Sequence, residues 1–208
     1  MIDFTLKKRK GKGEVKEEGE VKEDGGTIIP VSSIDFSNNV IYFNGDVNDE
    51  NNLKLNKQIK ELGIELKGMS LKYGISVPPI ELQISSYGGS LFSCFSSIEH
   101  IVNSVSPVHT YISGYAASAA TLMSVCGKER YIGEHSYMLI HQLSSMHWGK
   151  YSDLKDDMKN CKSLMKKIRD IYSERTKIPK KELKKILKHD LWWDAKKCLK
   201  YGLVDDII

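Results

Sequence analysis

Ile80-Glu81-Leu82-Gln83-Ile84, then Ser85-Ser86-Tyr87-Gly88-Gly89-Ser90, then Leu91, Phe95, Ile98 and Val102, is the stretch that decides the fold. The first five residues alternate apolar and polar, the period of a half-buried strand. The paired glycines make a turn. The apolar residues after it are spaced by four, three and four, which is one face of a helix. Downstream the pattern repeats. Pro107 to Ser113 reads as a second strand, Gly114-Tyr115 as a turn and Ala116 to Cys126 as a helix of small residues. Short strands are expected near Arg130–Ile132 and Tyr137–Ile140. Strand, helix, strand, helix, strand implies right-handed crossovers and a largely parallel sheet in an α/β domain.

Upstream, Val40-Ile41-Tyr42-Phe43 reads as a buried strand ended by Asn44-Gly45-Asp46. Residues 50–68 read as a helix with Leu53, Ile59, Leu62 and Leu66 on its apolar side, and Pro78-Pro79 breaks the chain. The last third is helical. Leu154, Met158, Cys161, Met165, Ile168 and Tyr172 step by 4, 3, 4, 3 and 4, a regular amphipathic seam. This helix stops before Lys177-Ile178-Pro179, and Lys180 to Lys188 makes a short basic one. Residues 1–26 hold seven bases and seven acids with almost no apolar content after Leu6. They are expected to be a disordered charged arm, with one domain at 27–208.

Composition narrows the class. The 208 residues are 40% hydrophobic and 28% charged, enough for a full core without disulfides or metal. No apolar run reaches the length of a membrane span, and the start has no secretory pattern. Cys94, Cys126, Cys161 and Cys198 lack metal-ligand spacing and suggest buried thiols in a reducing, cytoplasmic-type compartment. Residues 154–188 carry thirteen bases against five acids. The bases interleave with the apolar seam and no aromatic platform accompanies them, so a solvated helix face is expected rather than a nucleic-acid site.

Two strand-to-helix turns could carry chemistry: Tyr87-Gly88-Gly89-Ser90 and Gly114-Tyr115-Ala116-Ala117-Ser118-Ala119-Ala120. Such turns present free backbone N–H groups to an anion, although helix capping and tight packing also explain them. Among six histidines, His141 ends an apolar strand, where α/β proteins place their chemistry. Asp190 precedes Leu191-Trp192-Trp193, where partial desolvation would make it seek an imidazole N–H. Asp194 is its competitor, and its place before Ala195-Lys196-Lys197-Cys198 makes it a helix N-cap.

These residues resemble the ClpP family, the proteolytic subunit of Clp protease. Gly114-Tyr115-Ala116-Ala117-Ser118-Ala119 is similar to its G-x-A-A-S-x nucleophile motif, and Leu139-Ile140-His141-Gln142 to its M-I-H-Q motif. Tyr201-Gly202-Leu203-Val204-Asp205 is similar to its Y-G-L-V-D, and Ser86-Tyr87-Gly88-Gly89-Ser90 to its S-P-G-G turn. The resemblance runs from about Val40 to Ile208. Tyr87 and Leu143 stand where the family has proline, and its ordered N-terminus is not recognisable in residues 1–26.

The resemblance implies a ClpP/crotonase-type fold with a long projecting helix, and a role for each matched position. Ser118 would be the nucleophile, His141 the general base and Asp190 its orienting acid. The N–H groups of Gly89 and Ala119 would form the oxyanion hole. It implies a serine endopeptidase of the ATP-dependent type, acting on unfolded protein or peptide without metal or cofactor. It also implies a homo-oligomer of stacked heptameric rings, with an AAA+ unfoldase as candidate partner and no nucleic acid or membrane. Competing readings are a catalytically silent subunit, a phage or viral maturation protease of the same chemistry, and a crotonase-type acyl-CoA enzyme. A serine–lysine peptidase using Lys128 is a further alternative.

Overall fold

A computed structural model describes residues 33–208. The expected arm at 1–26 lies outside the described residues, as does the expected onset of order near Thr27. The chain runs β1 (Ser33–Ser37), β2 (Val40–Asn44), α1 (Asp49–Tyr73), β3 (Ile80–Ser86), α2 (Leu91–Val102), β4 (Val108–Ala117) and α3 (Ala119–Ser124). It continues with β5 (Arg130–Ile132), β6 (Tyr137–Leu139), α4 (Tyr151–Arg175), α5 (Lys180–Ile186), β7 (Trp192–Asp194), α6 (Ala195–Lys200) and β8 (Asp206–Ile207). The sheet order is β1-β2-β3-β4-β5-β8. Only the β1–β2 edge of that path is antiparallel. β6 lies parallel to the far half of β4, and β7 runs antiparallel to β6.

The deciding stretch folds as its periodicity predicts. Ile80, Leu82 and Ile84 of β3 are fully buried, and the intervening residues face the other side. α2 follows, capped by the Ser90 side chain on the Ser93 N–H. Its buried apolar residues are Cys94, Ile98 and Ile101, while Val102, expected on the apolar side, is exposed.

α1 is longer than its apolar pattern predicts. The Asn48 side chain caps its start, and Gly74 ends it at φ 65, a conformation suited to glycine. Leu55, not Leu53, joins Ile59, Leu62 and Leu66 in the core. The reason is polar. Asn52 donates to Ser93 O at 2.8 Å and to Ser97 Oγ at 2.6 Å, and Ser97 donates to Asn56 at 2.8 Å. Buried amides sewn to α2 fix the rotation of α1 and turn Leu53 to solvent.

Two further expectations are corrected. Gly114-Tyr115 is not a turn, since β4 runs on to Ala117 with Gly114 at φ 81. That bend lets one strand pair β5 through Thr110–Ile112 and β6 through Tyr115–Ala117. The following helix is correspondingly short. Cys161 is also not buried, unlike Cys94, Cys126 and Cys198.

Candidate active site

The glycine turn sits where β3 stops pairing in register, between Ile84 and Ser86. Ser86 is buried, and its hydroxyl accepts the Gly88 N–H at 3.0 Å. Gly88 and Gly89 have φ of 92 and 146, which other residues rarely adopt. A Cβ on Gly88 would stand 2.6 Å from Ala117 O and 2.8 Å from Ala119 N. A Cβ on Gly89 would strike the carbonyl of Val47. The pair is wedged between Val47 and the serine turn, and only hydrogen fits there. Val47 holds it with two backbone bonds, N–H to Gly88 O at 2.9 Å and O from Ser90 N–H at 2.7 Å.

Ser118 links β4 to α3 at φ 56 and ψ −125. For a non-glycine residue that geometry costs about 1–3 kcal/mol and persists only where its surroundings impose it. They do so here. The Ser118 N–H donates to Leu139 O of β6 at 2.9 Å. The Thr121 hydroxyl donates to Ser118 O at 2.6 Å. Having spent its proton there, Thr121 accepts from the buried Tyr172 hydroxyl, also at 2.6 Å. Burial pushes the Tyr172 phenol well above its ordinary range, so it stays a donor. The Ser118 side chain is not used as a cap, which leaves its hydroxyl free. This sharp strand-to-helix turn is the form of a nucleophile elbow.

His141 follows β6. Its Nδ1 lies 3.2 Å from Asp190 Oδ1. The histidine side chain is 17% exposed and the aspartate 42%, so Asp190 is less desolvated than its neighbouring tryptophans suggest. The Gln142 N–H donates to Leu187 O at 2.7 Å, which ties the histidine segment to the chain leading into Asp190. Ser118, Ala119, Gly89 and His141 line one cavity, closed by Leu122, Ile168 and Tyr172. Asp190 is not in its wall and stands behind His141. Among the described residues, no hydrogen bond joins the Ser118 hydroxyl to His141, a contact that in many enzymes closes only with substrate bound.

The competitors separate cleanly. Asp194 caps α6 on the Lys197 N–H at 2.7 Å. Lys128 lines a different cavity with Cys126 and Arg175. Its backbone bonds Val108, at the opposite end of β4 from Ser118, which removes the serine–lysine arrangement. His109 faces Glu129, and His100 bonds Ser96 O.

Sequence reading missed the links from Ser118 to Leu139, from Gln142 to Leu187 and from Thr121 to Tyr172. No local signal marks them, because they join elements distant in the chain. Chemically, the cavity brings together a hydroxyl, an imidazole held by a carboxylate, and the backbone of Gly89 and Ala119.

The family model for Clp protease matches residues 37–208. ATP-dependent Clp protease proteolytic subunit 1 of Chlamydia caviae is 32% identical over 134 residues, 62% of this chain and 70% of that protein. The subunit 1 of Protochlamydia amoebophila is 32% identical over 134 residues, 62% and 65% of the two chains. ATP-dependent Clp protease proteolytic subunit 2 of Treponema denticola is 29% identical over 165 residues, 78% of each chain.

Proposed function

Since the chain belongs to the Clp protease family, we propose that it is a serine endopeptidase with Ser118 as nucleophile, His141 as base and Asp190 as orienting acid. The supporting observation is the shared cavity of Ser118, His141, Gly89 and Ala119, with Asp190 3.2 Å behind the imidazole. Ser118 Oγ attacks the peptide carbonyl and His141 Nε2 takes its proton. Asp190 accepts from Nδ1–H, sets the tautomer and steadies the imidazolium. The developing oxyanion meets the N–H groups of Gly89 and Ala119. His141 then gives the proton to the leaving amine, and water releases the acyl group by the same steps.

Substrates on this reading are unfolded proteins and peptides. The chain works as stacked rings, with the exposed Tyr151, Leu154 and Met158 of α4 supporting a contact between them. Residues 1–26 serve as a polar gate at the ring entrance, and an AAA+ unfoldase is the candidate partner. The compartment is cytoplasmic. No helix among the described residues is long and apolar enough to cross a membrane.

A fluorogenic peptide assay tests the chemistry. Ser118→Ala or His141→Ala lowers turnover by about three orders of magnitude or more with the fold intact, and Asp190→Asn is also severe. A fluorophosphonate labels Ser118 alone. Near-normal hydrolysis by a folded Ser118→Ala variant overturns the reading. Deleting residues 1–26 speeds casein degradation without ATP and leaves short-peptide turnover unchanged.

A further inference from the structure

A second imidazole cluster lies beyond His141, in the segment between β6 and α4. His147 Nδ1 stands 3.1 Å from Asp157 Oδ2. Its Nε2 stands 3.2 Å from Cys161 Sγ and 2.8 Å from Ser145 Oγ. Asp157 and Cys161 are four residues apart on α4, so one helix face presents both to the ring. A carboxylate holding one imidazole nitrogen leaves the other to take a proton from the thiol, and a thiolate is the reactive form of cysteine.

The other three cysteines provide the contrast. All are buried. Desolvation pushes the Cys126 thiol up to about 11 and Cys198 to about 12, and raises Cys94 further still. Cys94 donates to Ala119 O, and Cys198 to Trp193 O. Cys161 is half-buried, and its sulfur has a base.

We propose that Cys161 is a site of reversible oxidation by hydroperoxides, with His147 as its base and Asp157 as the group that orients His147. The thiol proton passes to Nε2 as sulfur attacks the nearer peroxide oxygen. The S–O bond forms and the O–O bond breaks. The departing hydroxide, or alkoxide from an organic hydroperoxide, takes the proton from the imidazolium and leaves as water or alcohol. Sulfur loses two electrons and becomes a sulfenic acid, and the peroxide is reduced. A thiol reductant reverses the change.

Oxidation also reaches the cavity. Oxidation replaces the S–H that faces Nε2 at 3.2 Å with a bulkier, more polar S–OH, and on this proposal the contact holding His147 to α4 weakens. Its segment begins at Leu143 and Ser144, which wall the cavity, and the Leu143 N–H donates to Met165 Sδ, four residues beyond Cys161. Freeing His147 loosens that wall and slows peptide turnover. This consequence rests on the peptidase reading, whereas the oxidation site itself does not.

The test treats the full-length protein with hydrogen peroxide, traps sulfenic acid with dimedone and maps it by mass spectrometry. Dimedone is expected on Cys161 before Cys94, Cys126 or Cys198. His147→Gln slows labelling about tenfold. Turnover falls in step with labelling and returns with a thiol reductant, which does not repair oxidised methionine. Cys161→Ser keeps its turnover throughout. Equal labelling of the buried cysteines, or labelling unchanged in His147→Gln, overturns the site. Labelled protein with undiminished turnover overturns the link to the cavity. An untreated protein without turnover sinks the peptidase reading instead and leaves the labelling result to stand by itself.

Discussion

α1 and α4 are both 25-residue amphipathic helices, yet they meet the rest of the chain differently. α1 buries Leu55, Ile59, Leu62 and Leu66 along most of its length and is sewn to α2 by Asn52 and Asn56. α4 has the more regular apolar seam, but only Ile168, Ile171 and Tyr172 of its last turns are buried. Its first half leaves Tyr151 75%, Leu154 41% and Met158 57% exposed. A seam therefore tells that a helix has an apolar side, not which body covers it. α1 spends its seam on its own core. α4 roots one end beside Ser118 and extends the other away from it.

The sharpest way to break this comparison is to truncate each seam. Leu55→Ala, at a fully buried position, costs about 2–5 kcal/mol by denaturant unfolding. A smaller loss there than at the free end of α4 would dissolve the distinction.

Tyr172→Phe probes the rooted end. It removes the donor to Thr121 Oγ1 and leaves a buried hydroxyl one bond short, at a cost of about 1–2 kcal/mol. Turnover falls with it, because Thr121 holds the Ser118 carbonyl. A Tyr172→Phe protein with unchanged melting and unchanged turnover would separate the helix root from the nucleophile turn.

Arg130 pins the same root. Its guanidinium donates to Arg175 O at the end of α4, to Gly202 O at 2.9 Å and to Asp205 Oδ2 at 2.9 Å. The hydrogen bond from Arg130 holds the Asp205 carboxyl below its usual range. A depressed folded value adds stability above the unfolded carboxylate range, and that stability is lost as pH falls below about 4. The Asp205 side chain is 45% exposed, so solvent screening keeps the contribution under about 1 kcal/mol. Asp205→Asn should flatten this part of the acid-unfolding curve. A mutant curve parallel to wild type through that range would show that the pair contributes nothing.

The smallest effect on the chain itself is expected at the free end. Met158→Asp changes protomer stability by less than about 0.5 kcal/mol. It nonetheless places a carboxylate at Met158, which the proposed ring contact covers together with Tyr151 and Leu154, and the native mass should drop to smaller rings or monomers. Wild type running as a fully active 23.6 kDa monomer would end the assembly reading.

What the sequence determined by itself was local. Alternation at Ile80–Ile84, the glycine pair after it and the spacing of the α2 and α4 seams depend on neighbours a few residues away. These patterns were enough for the parallel α/β arrangement. Residue types at the turns and strand ends drew notice to Ser118, His141 and Asp190, and the resemblance to the ClpP family is what joined them into one set of candidates. Tertiary structure decided everything that depends on two distant segments meeting. Gly114 reads as a turn until β5 and β6 are seen on successive halves of β4. Leu53 reads as core until Asn52 and Asn56 find the serines of α2. Cys161 reads as one buried seam position until His147 folds back onto it. The φ of Ser118 is imposed by a carbonyl twenty-one residues away, at Leu139. Periodicity is a property of one segment against an unspecified apolar surface. Register, helix rotation and hydrogen-bond partners belong to a pair of segments, and their energies exist only once the chain has brought both together.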